Sequence, residues 1–201
     1  MEATHSNDPT QDPIDQDTLD ATAERITERT LITPSRARTY VLARSGHSQA
    51  EIGRQRDLSR TTINRALADI ERIYARARTL VDLADDDPSG DEEPEYPDLW
   101  DAGASTIAEH TPLTEPQAIV WVEKKQVRRI GWYPPAAEAL ADLADDDTPR
   151  TRSTVNDHLY TAEDKIERAQ ATVELIELDN LFTDVRAATD VDDLDDADTT
   201  D

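Results

Sequence analysis

Arg60, Thr61, Asn64 and Arg65 stand close together in the stretch "SRTTINRAL" at 59–67. Arg can place two hydrogen bonds on a guanine edge and Asn two on an adenine edge, each worth about 1–3 kcal/mol of discrimination. If Ile63 and Leu67 face a core, helical spacing turns these four polar residues outward together near a helix start. Ser59, Thr62 and the unpaired amides of that start suit a phosphate oxygen, as does Gln49 ten residues earlier, and Arg54 can add a backbone contact. Arg36, Arg38 and Arg56 read the same way, as further backbone contacts. The pattern is hydrogen-bonding chemistry directed at a polyanion.

The same pattern occurs twice. "TRSTVNDHL" at 151–159 repeats "SRTTINRAL", and 60–83 aligns with 152–175 at nine identities in twenty-four positions without a gap. Upstream, "LTEPQAIVWV" at 113–122 matches "ITPSRARTYV" at 32–41 at an offset of 81 residues, against 92 for the later block. The chain therefore reads as a tandem duplication whose second copy carries eleven extra residues. They fall around "QVRRIGWYPP" and "DDDTPRT", between the first and third helices of the copy. The outward set of the second copy is Arg152, Ser153, Asn156 and Asp157, with His158 nearby, Asp157 standing where the first copy has Arg65, and Thr154 matches Thr62 as a further DNA-binding candidate. Two readings of this copy stay open: a weaker reader of the same polyanion, or a protein-interaction domain.

Helices must position these residues. Thr33 is placed to cap a helix with Pro34 at its first position, running through "SRARTYVLARS" to Gly46. Ser48 and Glu51 have capping-box spacing and open a short helix to about Arg56. Asp57 takes the turn position that Gly usually fills, and Arg56 sits where an apolar residue commonly packs. Ser59 caps a third helix. Ile63, Leu67, Ile70, Tyr74, Ala77 and Val81 continue it as a heptad stripe, repeated from Val155 to Ile176. The stripe suits either packing within its own unit or pairing with another long helix, in the same chain or a second copy. The expected fold is all-α: two tandem trihelical helix-turn-helix units with extended third helices, joined by an acidic linker. The expected divisions are a disordered acidic arm at 1–21, a first domain at 22–83, a linker at 84–103, a second domain at 104–183 and a disordered acidic tail at 184–201.

Charge is unevenly spread. The chain carries a formal −24, yet residues 30–80 hold ten Arg against four acids, a net of +6. An otherwise acidic chain with one basic block concentrates its attraction for a polyanion there. Arg outnumbers Lys eighteen to three and Asp is abundant, a composition resembling that of haloarchaeal proteins. In molar salt, self-repulsion is screened within about 3 Å. Phosphate attraction also falls steeply with salt, so a binder adapted to it would lean on base contacts and on the avidity of two linked readers. Cys is absent, which excludes disulfides and thiolate metal sites. No run approaches a membrane span, and the acidic N-terminus is no signal peptide, so a cytoplasmic location is expected.

"SQAEIGRQRDLSRTTINRAL" resembles the helix-turn-helix of sigma-factor C-terminal regions and of archaeal Tfx-like DNA-binding proteins. "IERIYARA" and its echo "DKIERAQATVEL" resemble the Tfx-like extension. The resemblance spans about 31–83, and 112–178 more loosely, and implies duplex-DNA binding and transcriptional regulation. The rival expectation is a non-catalytic adaptor or anti-activator that uses the same helices and the acidic tails to bind proteins, including transcription machinery. No nucleophile–base pairing, phosphate-cradling loop or spaced metal ligands is evident, so no enzyme activity, cofactor or metal is expected.

Overall fold

In the computed structural model of the chain, residues 14–86, 97–127, 134–144 and 150–179 are described. They form eight α-helices with no strand among the described residues. The arm before residue 14, the stretch 87–96 of the linker, most of the insertion around 128–133 and 145–149, and the tail after 179 lie outside them.

The first helix, α1 (Gln16–Arg29), begins inside the stretch that composition assigns to the acidic arm. Leu19 and Ala23, four residues apart, put two apolar side chains on one helical face, and both are buried. Asp15 opens the helix by accepting from the Thr18 backbone N–H at 3.1 Å. α2 (Pro34–Arg44) follows, with Thr33 at its N-cap and Pro34 inside the first turn. The Thr33 hydroxyl does not cap the backbone; it accepts from Arg36 Nη1 instead, at 3.2 Å.

α2 ends as its sequence requires. Gly46 takes a left-handed φ of 82°. Its N–H bonds the Ala43 carbonyl at 3.0 Å and the next N–H, of His47, bonds Leu42 at 3.2 Å, which together close a Schellman motif. α3 (Gln49–Arg56) opens on a reciprocal capping box between Ser48 and Glu51. It closes on Asp57, whose φ of 52° and ψ of 48° lie in the left-handed region that Asp tolerates better than most residues. Gly53 makes the tight corner possible: a Cβ there would sit 2.9 Å from the Leu58 carbonyl oxygen. The long α4 (Arg60–Asp85) then runs for 26 residues.

The later helices are α5 (Pro97–His110), α6 (Glu115–Val127), α7 (Pro134–Leu143) and α8 (Arg152–Asp179). At the offset of 81 residues, α1 falls on α5 from first residue to last, and α2 and α6 share their start. The duplicated piece is thus larger than a trihelical unit and has four helices. Residues 16–33 and 97–114 carry eight identities in eighteen positions, among them Ala23/Ala104, Ile26/Ile107 and Thr30/Thr111. This part of the repeat is hard to hear in the sequence because both copies of the helix are polar outside a narrow apolar stripe.

The chain divides into two compact units, and the division falls within α4. Of the described residues, the first unit holds 14–28 and 32–70, with 179. It buries Ile32, Ala37, Tyr40, Leu42, Ile52, Ile63, Leu67 and Ile70 along with the two α1 residues. The second holds Arg29–Leu31 and Glu71–Leu178, so it combines the end of one copy's long helix with nearly all of the other copy. One core of that unit joins Ala77, Leu80 and Leu83 of α4 to Ile107, Leu113, Trp121, Ala169 and Val173. A smaller one joins Val120, Ala136, Ala137 and Leu140 to Val155 and Leu159 at the start of α8.

Polar contacts tie the second unit across the two copies. Arg168 donates from Nε to the Thr30 carbonyl at 3.0 Å, just past the end of α1. Its repeat counterpart Arg76 donates from Nη2 to the Ala108 carbonyl at 3.0 Å and to that of Thr111, at the end of α5. Each guanidinium satisfies carbonyls that a helix end leaves open and lies at the negative end of the helix dipole. The Leu31 N–H donates to Thr172 Oγ1 at 3.0 Å. In the other half the matching residues are Pro112, which has no N–H, and Leu80, which has no hydroxyl. Donor and acceptor are missing together, so the loss of one does not strand the other.

That paired difference makes a prediction. Thr172→Leu strands the Leu31 N–H and is expected to cost about 1–3 kcal/mol. Adding Leu31→Pro removes the stranded donor, so the double variant is expected to recover part of the loss in a urea melt. A double variant that loses more stability than Thr172→Leu alone would contradict this account of the pair.

Candidate nucleic-acid interface

The corner between α3 and α4 is built from the caps outward. Ser59 Oγ accepts from the Thr62 backbone N–H at 3.2 Å and shares a hydrogen bond with the Thr62 hydroxyl at 2.8 Å. With Ile63 and Leu67 buried, Ser59, Arg60, Thr61, Thr62, Asn64 and Arg65 are all exposed. Arg54, in the last turn of α3, is exposed as well. Gln49 occupies the first position of α3, where it is half-buried, and its Oε1 has no hydrogen-bond partner among the described residues.

The second copy repeats the cap. Thr151 Oγ1 accepts from the Thr154 N–H at 3.3 Å and shares a hydrogen bond with the Thr154 hydroxyl at 3.1 Å. Val155 and Leu159 are buried where Ile63 and Leu67 are. Arg152, Ser153 and Asp157 are exposed, while Thr154, Asn156 and His158 are half-buried. The two helix starts thus share cap and core face, and differ in the exposure of Thr62 and Asn64 against Thr154 and Asn156 and in charge at Arg65 and Asp157.

Three arginines read as backbone contacts have internal work instead. Arg36 bonds Asp69 from Nε at 3.2 Å and from Nη2, joining α2 to α4. Arg38 bonds Asp20 of α1 at 2.6 Å, a contact that holds the Asp20 carboxyl below the usual range. Arg56 donates to the Ser35 carbonyl at 2.9 Å and to the Thr39 hydroxyl, so the polar residue in an apolar position closes α3 onto α2 through hydrogen bonds. Burial, then the neighbouring Arg38, lowers its pKa, but a guanidinium stays charged. The sequence carries no signal for these roles, because each partner lies 17 or more residues away.

The capping box that sets the start of α3 is sensitive to pH. The Ser48 backbone N–H reaches Glu51 Oε2 at 2.7 Å and the Ser48 hydroxyl reaches it at 2.9 Å. These bonds, the backbone one first, hold the Glu51 carboxyl below the usual range. A depressed folded pKa means that this support is complete above the unfolded value and is lost as pH falls through the folded one. A chemical-shift titration of Glu51 is expected to give a midpoint below that of Glu in an unstructured peptide, and Ser48→Ala, which removes the hydroxyl bond and keeps the backbone one, is expected to move it part of the way back up. A wild-type midpoint at the unstructured value would show that the box does not set it.

Among the described residues no group of His, Asp and Glu could hold a metal ion, and no helix is long and apolar enough to cross a membrane. No protein-family profile matches the chain, and no curated protein or solved structure matches it either.

Proposed function

We propose that this chain is a sequence-specific double-stranded DNA-binding regulator of transcription, with α3, the Asp57 turn and the start of α4 acting as a helix-turn-helix. The observation that carries the reading is the start of α4. Arg60, Thr61, Asn64 and Arg65 are exposed together while Ile63 and Leu67 are buried and anchor the helix. A helix held this way can enter a major groove with its first turns, leaving its length free to pack elsewhere. Ser59, Thr62 and Gln49 suit phosphates at the groove edge, and Arg54 extends the basic rim. The reading takes the chain as a tandem helix-turn-helix protein of the Tfx-like kind, working in the high-salt cytoplasm of an archaeal cell. There base contacts have to supply what screened phosphates do not.

With Arg36, Arg38 and Arg56 bonded inside the first unit, the DNA face rests on Arg54, Arg60 and Arg65. That narrows the face and makes it easier to test. The full chain, offered random duplexes in molar KCl, is expected to enrich one sequence over rounds of selection. If nothing is enriched, the DNA reading fails and the adaptor or anti-activator reading takes its place.

A further inference from the structure

The second copy keeps the helices of the first and loses the features that the DNA reading uses. In the place of α3 it has α7, and residues 144–151 separate α7 from α8, where 57–59 separate α3 from α4. A helix-turn-helix joins its helices through about three or four residues, so only the first copy has the tight turn. α3 opens on residues that carry backbone N–H groups, with Gln49 first. α7 opens on Pro134 and Pro135, which have no N–H to offer a phosphate. Charge changes sign as well. The corner of the first copy exposes Arg54, Arg60 and Arg65, whereas that of the second exposes Arg152 with Asp142 and Asp157. Asn64 is exposed, and its counterpart Asn156 is half-buried.

What the second copy retains is its hold on the first. Within the second unit Arg76 reaches the carbonyls at the end of α5, and its counterpart Arg168 reaches the carbonyl of Thr30, the counterpart of Thr111. A contact returned by its own equivalent is isologous, the kind that joins two identical chains. Tyr74 and Arg78 of α4 both donate to Glu177 Oε1 of α8, at 3.1 and 2.5 Å. Ala77, Leu80 and Leu83 share one core with Ala169 and Val173. We infer, resting on the DNA-binding reading above, that the second copy is a built-in dimerisation partner that does not read DNA, and that the chain selects a single asymmetric site through its first copy alone. The far part of α4 carries an apolar stripe that has to be covered. A second chain would bring a second reader along with that cover; the duplicated copy brings the cover without one.

The test is selection from random duplexes with the full chain in molar KCl, run beside the full-length variant Arg152→Ala, Ser153→Ala, Asp157→Ala. All three side chains are exposed, so the variant is expected to keep its fold, which urea unfolding of the same sample checks. If it lost stability, Arg152→Ala alone carries the same test. Wild type and variant are expected to enrich the same motif, one contiguous element with no inverted or direct repeat in it. Their affinities for it are expected to agree within about fivefold, the least that losing one base contact would change. A motif in two related parts, a motif altered at any position in the variant, or a larger loss of affinity would overturn the inference while leaving DNA binding in place. No enrichment with any duplex would overturn the DNA reading and this inference with it.

Discussion

Replacing Arg60 and Arg65 together by Ala is expected to abolish sequence preference while leaving the helices intact. Both side chains are exposed, Arg60 as the first residue of α4 and Arg65 on the face opposite Ile63 and Leu67, and Ala is the strongest helix former, so α4 loses no intrinsic support. If each Arg makes a two-point contact with a base, the pair contributes about 2–6 kcal/mol of discrimination between right and wrong sequence. That is on the order of 30-fold to more than 10⁴-fold in relative affinity. Two measurements check it: competition between the selected duplex and a scrambled one, and circular dichroism on the same sample. Unchanged preference with unchanged helix content would show that these residues do not read the bases. Single variants add a further distinction. A base-reading Arg relaxes specificity at one position, whereas a phosphate-binding Arg weakens all duplexes alike and lowers the salt slope.

The second large effect concerns the fold. Arg168→Leu is expected to destabilise the protein by about 2–4 kcal/mol, because it removes a charge-assisted bond and strands the Thr30 carbonyl. In a chain of this length that corresponds to a fall in melting temperature on the order of 5–15 °C. Arg168 donates to that carbonyl from Nε and Nη2, whereas Arg76 uses Nη2 and its buried Nε has no partner among the described residues. Arg76→Leu also breaks two bonds, to the Ala108 and Thr111 carbonyls, and is expected to cost a comparable amount. Urea or thermal unfolding in molar KCl measures both, and a negligible cost for either would mean that these bonds are not what holds the helix ends. Both positions lie far along their helices from the polar starts, so the variants are expected to alter stability before sequence preference.

Much of the local structure was legible. Ser48 and Glu51 announced a capping box, Gly46 a helix end and Asp57 a left-handed turn, because each is decided by residues within one helical turn of itself. The apolar stripes along α4 and α8 were legible for the same reason: periodicity alone tells which side of a helix is buried. The outward placement of Thr61, Asn64 and Arg65 followed from that stripe, whereas Arg60 shares the stripe's face and is exposed as the first residue of the helix. Arg36, Arg38 and Arg56 could not be sorted this way. An arginine on a half-exposed face looks identical whether its partner is water, a phosphate, or Asp69, Asp20 and the Ser35 carbonyl of another helix.

The sequence by itself determined that this chain is helical, that it is duplicated, and which face of each long helix meets a core. These are properties of short windows and of self-comparison. Only the tertiary structure decided how far the repeat extends, that α1 and α5 belong to it, and where the compact units divide. The sequence suggests a boundary at the acidic linker, where composition changes. The packing places its division within α4, because the far end of that helix buries Ala77, Leu80 and Leu83 among residues of the other copy. A helix of that length has more apolar surface than its own copy covers. Which surface covers the rest is a long-range choice, made by complementary side chains such as Arg76, Arg168, Leu31 and Thr172 that lie far apart in the chain.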